Sequence, residues 1–330
     1  MRLDKSAILV RELAGQVGAT AVVVNDSDSE LLSVGEPSAT MHCRSIRKPL
    51  LGALFGRPVI DGAIDLDATL ADLGIDDNVP PPLTSSERAA RVRDLLTCRS
   101  GVYHPSNHQT RSVTLPPRGT HQPGTHFLYN NWDFNALGTI LERHTSKGMF
   151  NDFADTIATP SGMQDFDRSQ QHYDIEPWSE HRTYAFHFST RDLARFGQLY
   201  LRGGQHGGST IIPPEWVIAS TCAHTKTDNG PSYGYLWWIA HNGQLFAGTA
   251  VPDGSFAAYG TGSQFLLVIP ALDRVIALLA DPRRSGGTDR AAHRPKLAEL
   301  VHYATQGAVM LTPDRDPTNP TGTTPACGPS

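Results

Sequence analysis

Ser45 stands three residues before Lys48 in HCRSIRKPLLGALFG, residues 42–56, where a charged stretch gives way to an apolar run. On a helix that spacing puts both side chains on one face, neighbours across a turn. A serine at a helix N-terminus feels the positive end of the dipole, and its own N–H points outward, able to donate to an oxyanion. A lysine set partly into the face of Leu50, Leu51 and Leu54 is favoured in its neutral form by desolvation. A neutral amine beside a hydroxyl is a general base beside a nucleophile. Pro49 fits the first turn, where backbone N–H groups lack intrahelical partners, and so dates the start of the helix. Alone, the tetrapeptide reads first as an N-cap and a solvated lysine; two further stretches change that.

In QPGTHFLYNNWDFNALGTILER, residues 122–143, a Pro-Gly turn leads through Tyr129, Asn130 and Asn131 into a helix with Phe134, Leu137 and Leu141 on one side. In FAAYGTGSQFLLVIP, residues 256–270, Gly260 and Gly262 flank Thr261 just before a buried strand, where backbone can approach a ligand closely and offer an N–H. Taken singly, these are a capped helix and a hairpin turn.

The elements that must carry these residues follow from periodicity. Residues 3–15 read as an amphipathic helix, followed by the strands ATAVVV and ELLSVG around a turn at NDSDS. From Ser45 to about residue 160 the chain is mainly helical, broken by Pro/Gly loops. STRDLARFGQLYLRGG, residues 189–204, opens on the capping box Ser189-x-x-Asp192 and stops at two glycines. QFLLVIP and RVIALLAD read as adjacent buried antiparallel strands, and RPKLAELVHYA as a closing helix. The order predicts an α+β protein, an antiparallel sheet flanked by helices with an inserted all-helical lobe. Residues 1–40 and 175–310 would form the sheet lobe, 41–174 the helical lobe with Ser45 and Tyr129, and 311–330, rich in Pro, Thr and Gly, a disordered tail.

Composition narrows the partners. The chain has 330 residues and a formal net charge of -5 spread without long blocks, which leaves no electrostatic footprint for nucleic acid or an anionic membrane. No uncharged apolar run reaches membrane-spanning length. Four scattered cysteines, Cys43, Cys98, Cys222 and Cys327, form no CxxC pair, and the charged start is not a signal-peptide pattern, so a reducing, cytoplasmic setting is expected. The expected partner is a small-molecule ester or amide substrate.

In this order and spacing the three stretches resemble the serine β-lactamase and penicillin-binding-protein superfamily, which carries a Ser-x-x-Lys motif. Within it the chain looks like the class C β-lactamase-related hydrolases, among them esterases and aminohexanoate-oligomer hydrolases. RDLLTCRSGV at 93–102, IIPPEWV and YGYLWWI add to the likeness, which covers roughly residues 30–305. The resemblance implies a β-lactamase/transpeptidase-like fold with no cofactor and no metal. It implies Ser45 as acylated nucleophile, Lys48 as its proton acceptor and Tyr129 as second acid/base, with Asn131 holding the lysine or the substrate carbonyl. The oxyanion hole would be the N–H of Ser45 and one from the Tyr259-Gly260-Thr261-Gly262 edge, most plausibly Thr261. Many relatives carry Lys-Thr-Gly or His-Thr-Gly there, whose cation binds a substrate carboxylate. Here Tyr259 precedes Gly260 and supplies no fixed positive charge, which disfavours β-lactams and peptidoglycan stems.

Two rival readings use other residues. His104, His108, His121 and His126 crowd together and suggest a metal hydrolase, but Pro105 interrupts HPSNH and the Glu of HExxH is absent. A binding protein that had lost the chemistry would lack one of Ser45, Lys48 and Tyr129. An acyltransferase would use the same residues with a different acceptor. Trp237 and Trp238 are core residues by default, with one flank of the pocket as the alternative.

Overall fold

The computed structural model describes residues 5–306 apart from 110–112, 146, 228–229, 247–248 and 282–289. The tail expected at 311–330 lies outside the described residues. We label the elements that position the site: α1 (Lys5–Gln16), β1 (Ala21–Asn25), β2 (Glu30–Gly35), β3 (Thr40–His42), α2 (Arg47–Ile60), α3 (Asn131–His144), β4 (His187–Ser189), α4 (Thr190–Leu201), α5 (Pro214–Thr221), β5 (Ser232–Tyr233), β6 (Trp238–Ile239), β7 (Phe256–Gly260), β8 (Gln264–Ile269), β9 (Arg274–Leu279) and α6 (Arg290–Gln306).

One antiparallel sheet runs β2-β1-β9-β8-β7-β6-β5. The runs FAAYG, QFLLVI and RVIALL are apolar on both sides because both faces of the sheet are covered. Along β7 to β9, Ala258, Leu266, Val268, Val275 and Ala277 face α4 and the helical lobe. Alternating with them, Ala257, Phe265, Leu267, Ile276 and Leu278 face α1 and α6. α4 lies close on the first face because Gly197 has no side chain: a Cβ there would come within 2.5 Å of Val275 Cγ1. Ser189 accepts from the Asp192 N–H at 3.1 Å, half of the expected capping box. The Asp192 carboxylate instead accepts from the backbone N–H groups of Gln164 and Asp165, tying the end of the helical lobe to α4.

The helical lobe is inserted between β3 and β4, which pair through Thr40↔Ser189, Met41↔Phe188 and His42↔His187. It is therefore bracketed by a two-stranded ladder, and β3 itself falls partly inside the 41–174 stretch expected to be helical. α2 crosses its centre with ten successive residues, Arg47 to Gly56, buried. Trp216 of α5 donates its indole N–H to the Gly52 carbonyl at 2.8 Å, fixing the flank of α2. Among the described residues no helix is long and apolar enough to cross a membrane. Cys43 and Cys98 are buried free thiols.

Candidate active site

The segment leading into α2 is held from both sides before it turns. The Cys43 N–H donates to the Phe186 carbonyl at 3.0 Å. Arg44 then adopts the left-handed region, φ 55°, which a side chain enters only when its surroundings impose it. A 3-10 turn over Arg44–Ile46 passes directly into α2, so Ser45 lies in the tight turn just before the helix and Pro49 in the first α-helical turn. The expected helix start is correct to within two residues.

Lys48 Nζ donates to Ser45 Oγ at 2.9 Å. The lysine is more deeply placed than a partly buried position implies, at 2% exposure. Its ammonium end sits 4.5 Å from the Phe134 ring centroid and 4.8 Å from that of Tyr129. Burial first, then the neighbouring positive charge of Arg47, hold its pKa well below the ordinary lysine value. Arg47 is also buried: its guanidinium lies 4.1 Å over the Tyr184 ring and Nη2 donates to Asn135 Oδ1 at 3.3 Å. Nη1 has no hydrogen-bond partner, and neither cation meets a carboxylate among the described residues. Guanidinium stays charged under all ordinary conditions. The amine beside it is therefore the group that gives up its proton.

Tyr129 arrives from the loop before α3. Its neighbours fix it: Leu128 N–H donates to the Cys98 carbonyl at 2.8 Å, and Asn130 caps α3 through Trp132 N–H while its amide donates to the Val102 carbonyl at 2.7 Å. The half-buried Tyr129 ring stacks on Trp238, centroids 5.6 Å apart, and packs against Phe134 at 4.9 Å. The Ser45 hydroxyl is among its neighbours, and burial raises its pKa further above the ordinary tyrosine value. Burial drives the lysine toward giving up its proton and the phenol toward keeping its own. Two titratable groups on one hydroxyl are thus pushed apart, as an acid and a base must be.

The third stretch forms the β7–β8 hairpin end. A Cβ on Gly260 would stand 2.9 Å from the Cys43 carbonyl oxygen and 3.3 Å from the Arg44 Cβ, so only glycine lets this strand lie against the turn before Ser45. Gln264, which the sequence analysis does not single out, donates to the carbonyls of His42 at 3.3 Å and Ala280 at 3.0 Å and binds the hairpin to β3. Thr261 is exposed at the tip, and Gly262 and Ser263 turn the chain at φ 87° and 68°.

Two of the expected supporting residues make contacts of their own. Tyr259 points to the opposite face, where its hydroxyl donates to the Leu245 carbonyl at 2.8 Å, because strand alternation sends the side chain before Gly260 away from α2. It contributes backbone rather than a side chain. Asn131, the first residue of α3, donates its amide to the His108 carbonyl, binding the loop after Gly101 to the helix start. Arg47 and Trp238 complete the surroundings. Two adjacent cations at the head of an apolar helix were the sequence signal for the first; only the fold separates half-buried Trp238 from fully buried Trp237.

The crowded histidines separate. His104 is buried, with Nε2 on the Val79 carbonyl and Nδ1 on that of Pro105. His108 faces Asp174 and Glu176, and His121 stacks on His126 at 3.9 Å. Among the described residues no group of three or more His, Cys, Asp or Glu is arranged to hold a metal ion.

This geometry, a buried Ser-x-x-Lys turn met by a tyrosine loop and a glycine-edged strand, has relatives. The beta-lactamase family model matches residues 9–301, and the chain belongs to that family. Among solved structures, a protein assigned as a 6-aminohexanoate-dimer hydrolase from Bacillus anthracis superposes with a TM-score of 0.68 at 19% identity, covering 91% of this chain and 82% of that one. A beta-lactamase from Mycobacterium bovis gives 0.64 at 19% identity over 89% and 99%. EstCE1, a hydrolase with promiscuous acyltransferase activity, gives 0.65 at 14% identity over 91% and 98%. They share the β-lactamase-like fold. An uncharacterised protein of Alkalihalophilus pseudofirmus is 31% identical over 87 residues, a match spanning 25% of this chain and 26% of the relative.

Proposed function

We propose that the protein is a serine hydrolase that forms a covalent acyl-enzyme on a small ester or amide. The observation that carries this reading is the 2.9 Å contact between Ser45 Oγ and a lysine amine whose pKa burial and Arg47 hold well below its ordinary value. Ser45 Oγ attacks the substrate carbonyl as its proton passes to Lys48 Nζ. The N–H groups of Ser45 and Thr261 take the developing oxyanion. Tyr129 gives its proton to the leaving alcohol or amine as the carbonyl reforms, and the phenolate recovers a proton from Lys48. Water, activated by the same pair, then attacks the acyl carbonyl, and Ser45 leaves with a proton restored to Oγ.

None of Gly260, Thr261 and Gly262, the edge that lies beside Ser45, carries a cation, which supports a simple ester or amide over a β-lactam. An alcohol or amine that reaches the acyl-serine before water makes the same residues an acyltransferase, the activity named for EstCE1. Intact-mass spectrometry after exposure to an aryl phosphonate tests the proposal. A single adduct on Ser45, lost in Ser45→Ala, is the expected result; labelling elsewhere, or none, sinks it. Rapid nitrocefin turnover would contradict the substrate preference.

A further inference from the structure

Asp133 is a buried carboxyl that the mechanism leaves unused. It sits in the first turn of α3 with 1% exposure. The Ser100 hydroxyl donates to Oδ1 at 2.6 Å, while Oδ2 is buried with no hydrogen-bond partner among the described residues. The titratable groups that face it are themselves acids: Asp94 on the short helix Val92–Leu96, and Cys98 and Tyr103 on either side of Ser100. Arg91, Arg93 and Arg99 act on Asp94, and Lys48 acts on Cys98. A buried carboxylate keeps its charge only with several donors or a cation against it. Burial raises the Asp133 pKa well above the ordinary carboxylate value, outweighing the hydrogen bond from Ser100.

Ser100 belongs to a turn that grips the tyrosine loop on both sides of Tyr129. Its oxygen accepts the Val102 N–H at 3.0 Å. Cys98 and Gly101 both lie in left-handed backbone, φ 57° and 68°, a conformation that Cys98 keeps only while its surroundings impose it. The Cys98 carbonyl accepts the Leu128 N–H at 2.8 Å, and the Val102 carbonyl accepts the Asn130 amide at 2.7 Å. Asn130 in turn caps α3, three residues before Asp133. A closed circuit of hydrogen bonds thus runs from α3 through Asp133, Ser100, Val102 and Asn130 back to the start of α3, with Tyr129 between its two grips. We propose that Asp133 is a positioning residue for Tyr129, an uncharged carboxylic acid that locks the 98–102 turn on which the tyrosine loop hangs. This inference rests on the reading of Tyr129 as the acid of a hydrolase.

The test compares Asp133→Asn, which keeps shape and neutrality, with Asp133→Ala and Ser100→Ala in the full chain. In both alanine variants kcat per folded molecule for a short-chain ester falls about ten- to hundredfold with KM little changed. Amide exchange over residues 127–131, read by mass spectrometry, speeds up in the same variants, and Asp133→Asn restores both readouts. Unmoved kcat and exchange in Asp133→Ala overturn the proposal, and so does a loss in Asp133→Asn as deep as in Asp133→Ala. If Asp133→Ala does not fold, Ser100→Ala carries this arm.

Urea unfolding reads the charge state separately. The unfolded carboxyl releases its proton near pH 4 while the folded one keeps it, so above that pH the unfolded state binds fewer protons. Wild type therefore loses stability relative to Asp133→Asn as pH rises, the ratio of their unfolding constants changing by up to about tenfold per pH unit. A flat difference, or one of opposite sign, means a carboxylate and overturns the proposal. Should no ester turn over in the wild type, the hydrolase reading fails by itself. Exchange and unfolding then still decide the lock: both moving as stated support it, and either one unmoved overturns it.

Discussion

Two buried charged centres lie within the helical lobe and are built in opposite ways. Asp77, fully buried, is surrounded by donors: Trp132 Nε1 at 2.9 Å, Val79 N–H at 3.1 Å, Glu180 N–H at 3.2 Å and the Ser179 hydroxyl, with His104 Nδ1 at 3.4 Å. It joins α3 to the loops at 77–79 and 179–180. Lys48 and Arg47 sit equally deep with aromatic rings around them, one hydroxyl and one amide within hydrogen-bonding reach, and no counter-charge among the described residues. A buried charge whose partners are complete rigidifies a fold; one left short changes protonation state or waits for a reacting group. The difference separates the structural centre from the chemical one more sharply than burial, which is the same in both.

Six substitutions would break or sharpen that contrast. Ser45→Ala has the largest expected effect, a loss of at least about 10³-fold in kcat/KM for a chromogenic short-chain ester. Lys48→Ala and Tyr129→Phe should follow at about 10² to 10⁴-fold, with unfolding midpoints still close to wild type for Ser45→Ala. Near wild-type turnover in the serine variant would end the comparison. Asp77→Ala should do the reverse. Its donors are left buried and unpaired, so denaturant unfolding should show a loss of about 3 kcal/mol or more, while kcat per folded molecule stays within a few-fold. A stable Asp77 variant with collapsed kcat would place the two centres in one mechanism.

Gly260→Ala comes next. The new methyl meets the Cys43 carbonyl, and forcing the strand away costs about 1–3 kcal/mol by the usual overpacking scale. The loss should appear in kcat for ester hydrolysis as the hairpin withdraws from Ser45; unchanged kinetics would remove that edge from the site. Arg47→Met is the subtlest. Removing its charge raises the Lys48 pKa, so the acid limb of the kcat/KM profile moves to higher pH by up to about one unit, ~1.4 kcal/mol. Arg47→Lys should restore the wild-type limb, and a limb unmoved by Arg47→Met would show that burial alone sets the base.

Lys48 also couples stability to pH with a definite sign. In the unfolded chain its amine stays protonated up to the ordinary lysine value near 10.5, whereas in the folded chain it loses its proton well below that. Between the two values the unfolded state binds the extra proton, so stability rises with pH and falls as pH drops toward the folded value. Comparing urea midpoints of wild type and Lys48→Met across that window isolates the contribution, which disappears in the variant.

Reading the chain alone reached most of the sheet, because strands buried on both faces leave uninterrupted apolar runs bounded by Pro and Gly. It posed Ser45 and Lys48 as a hydroxyl beside an amine from residue type and spacing, and Tyr129 only through the likeness of the three stretches to a known family. It could not place the Tyr259 side chain, since the two faces of a doubly covered strand look alike until one knows which of them meets α2. It also read Asp192 as a capping partner, where a loop twenty-eight residues earlier claims the carboxylate. Gln264 carried no local signal, since its partners lie 222 and 16 residues away.

What the sequence determined by itself is local: helix and strand periods, the proline that dates α2, and the reactive groups available. The tertiary structure decided which of those groups share a hydroxyl and which charge goes unanswered. Both depend on desolvation by residues distant along the chain. Lys48 becomes a base only when Phe134, Tyr129 and Arg47 close around it.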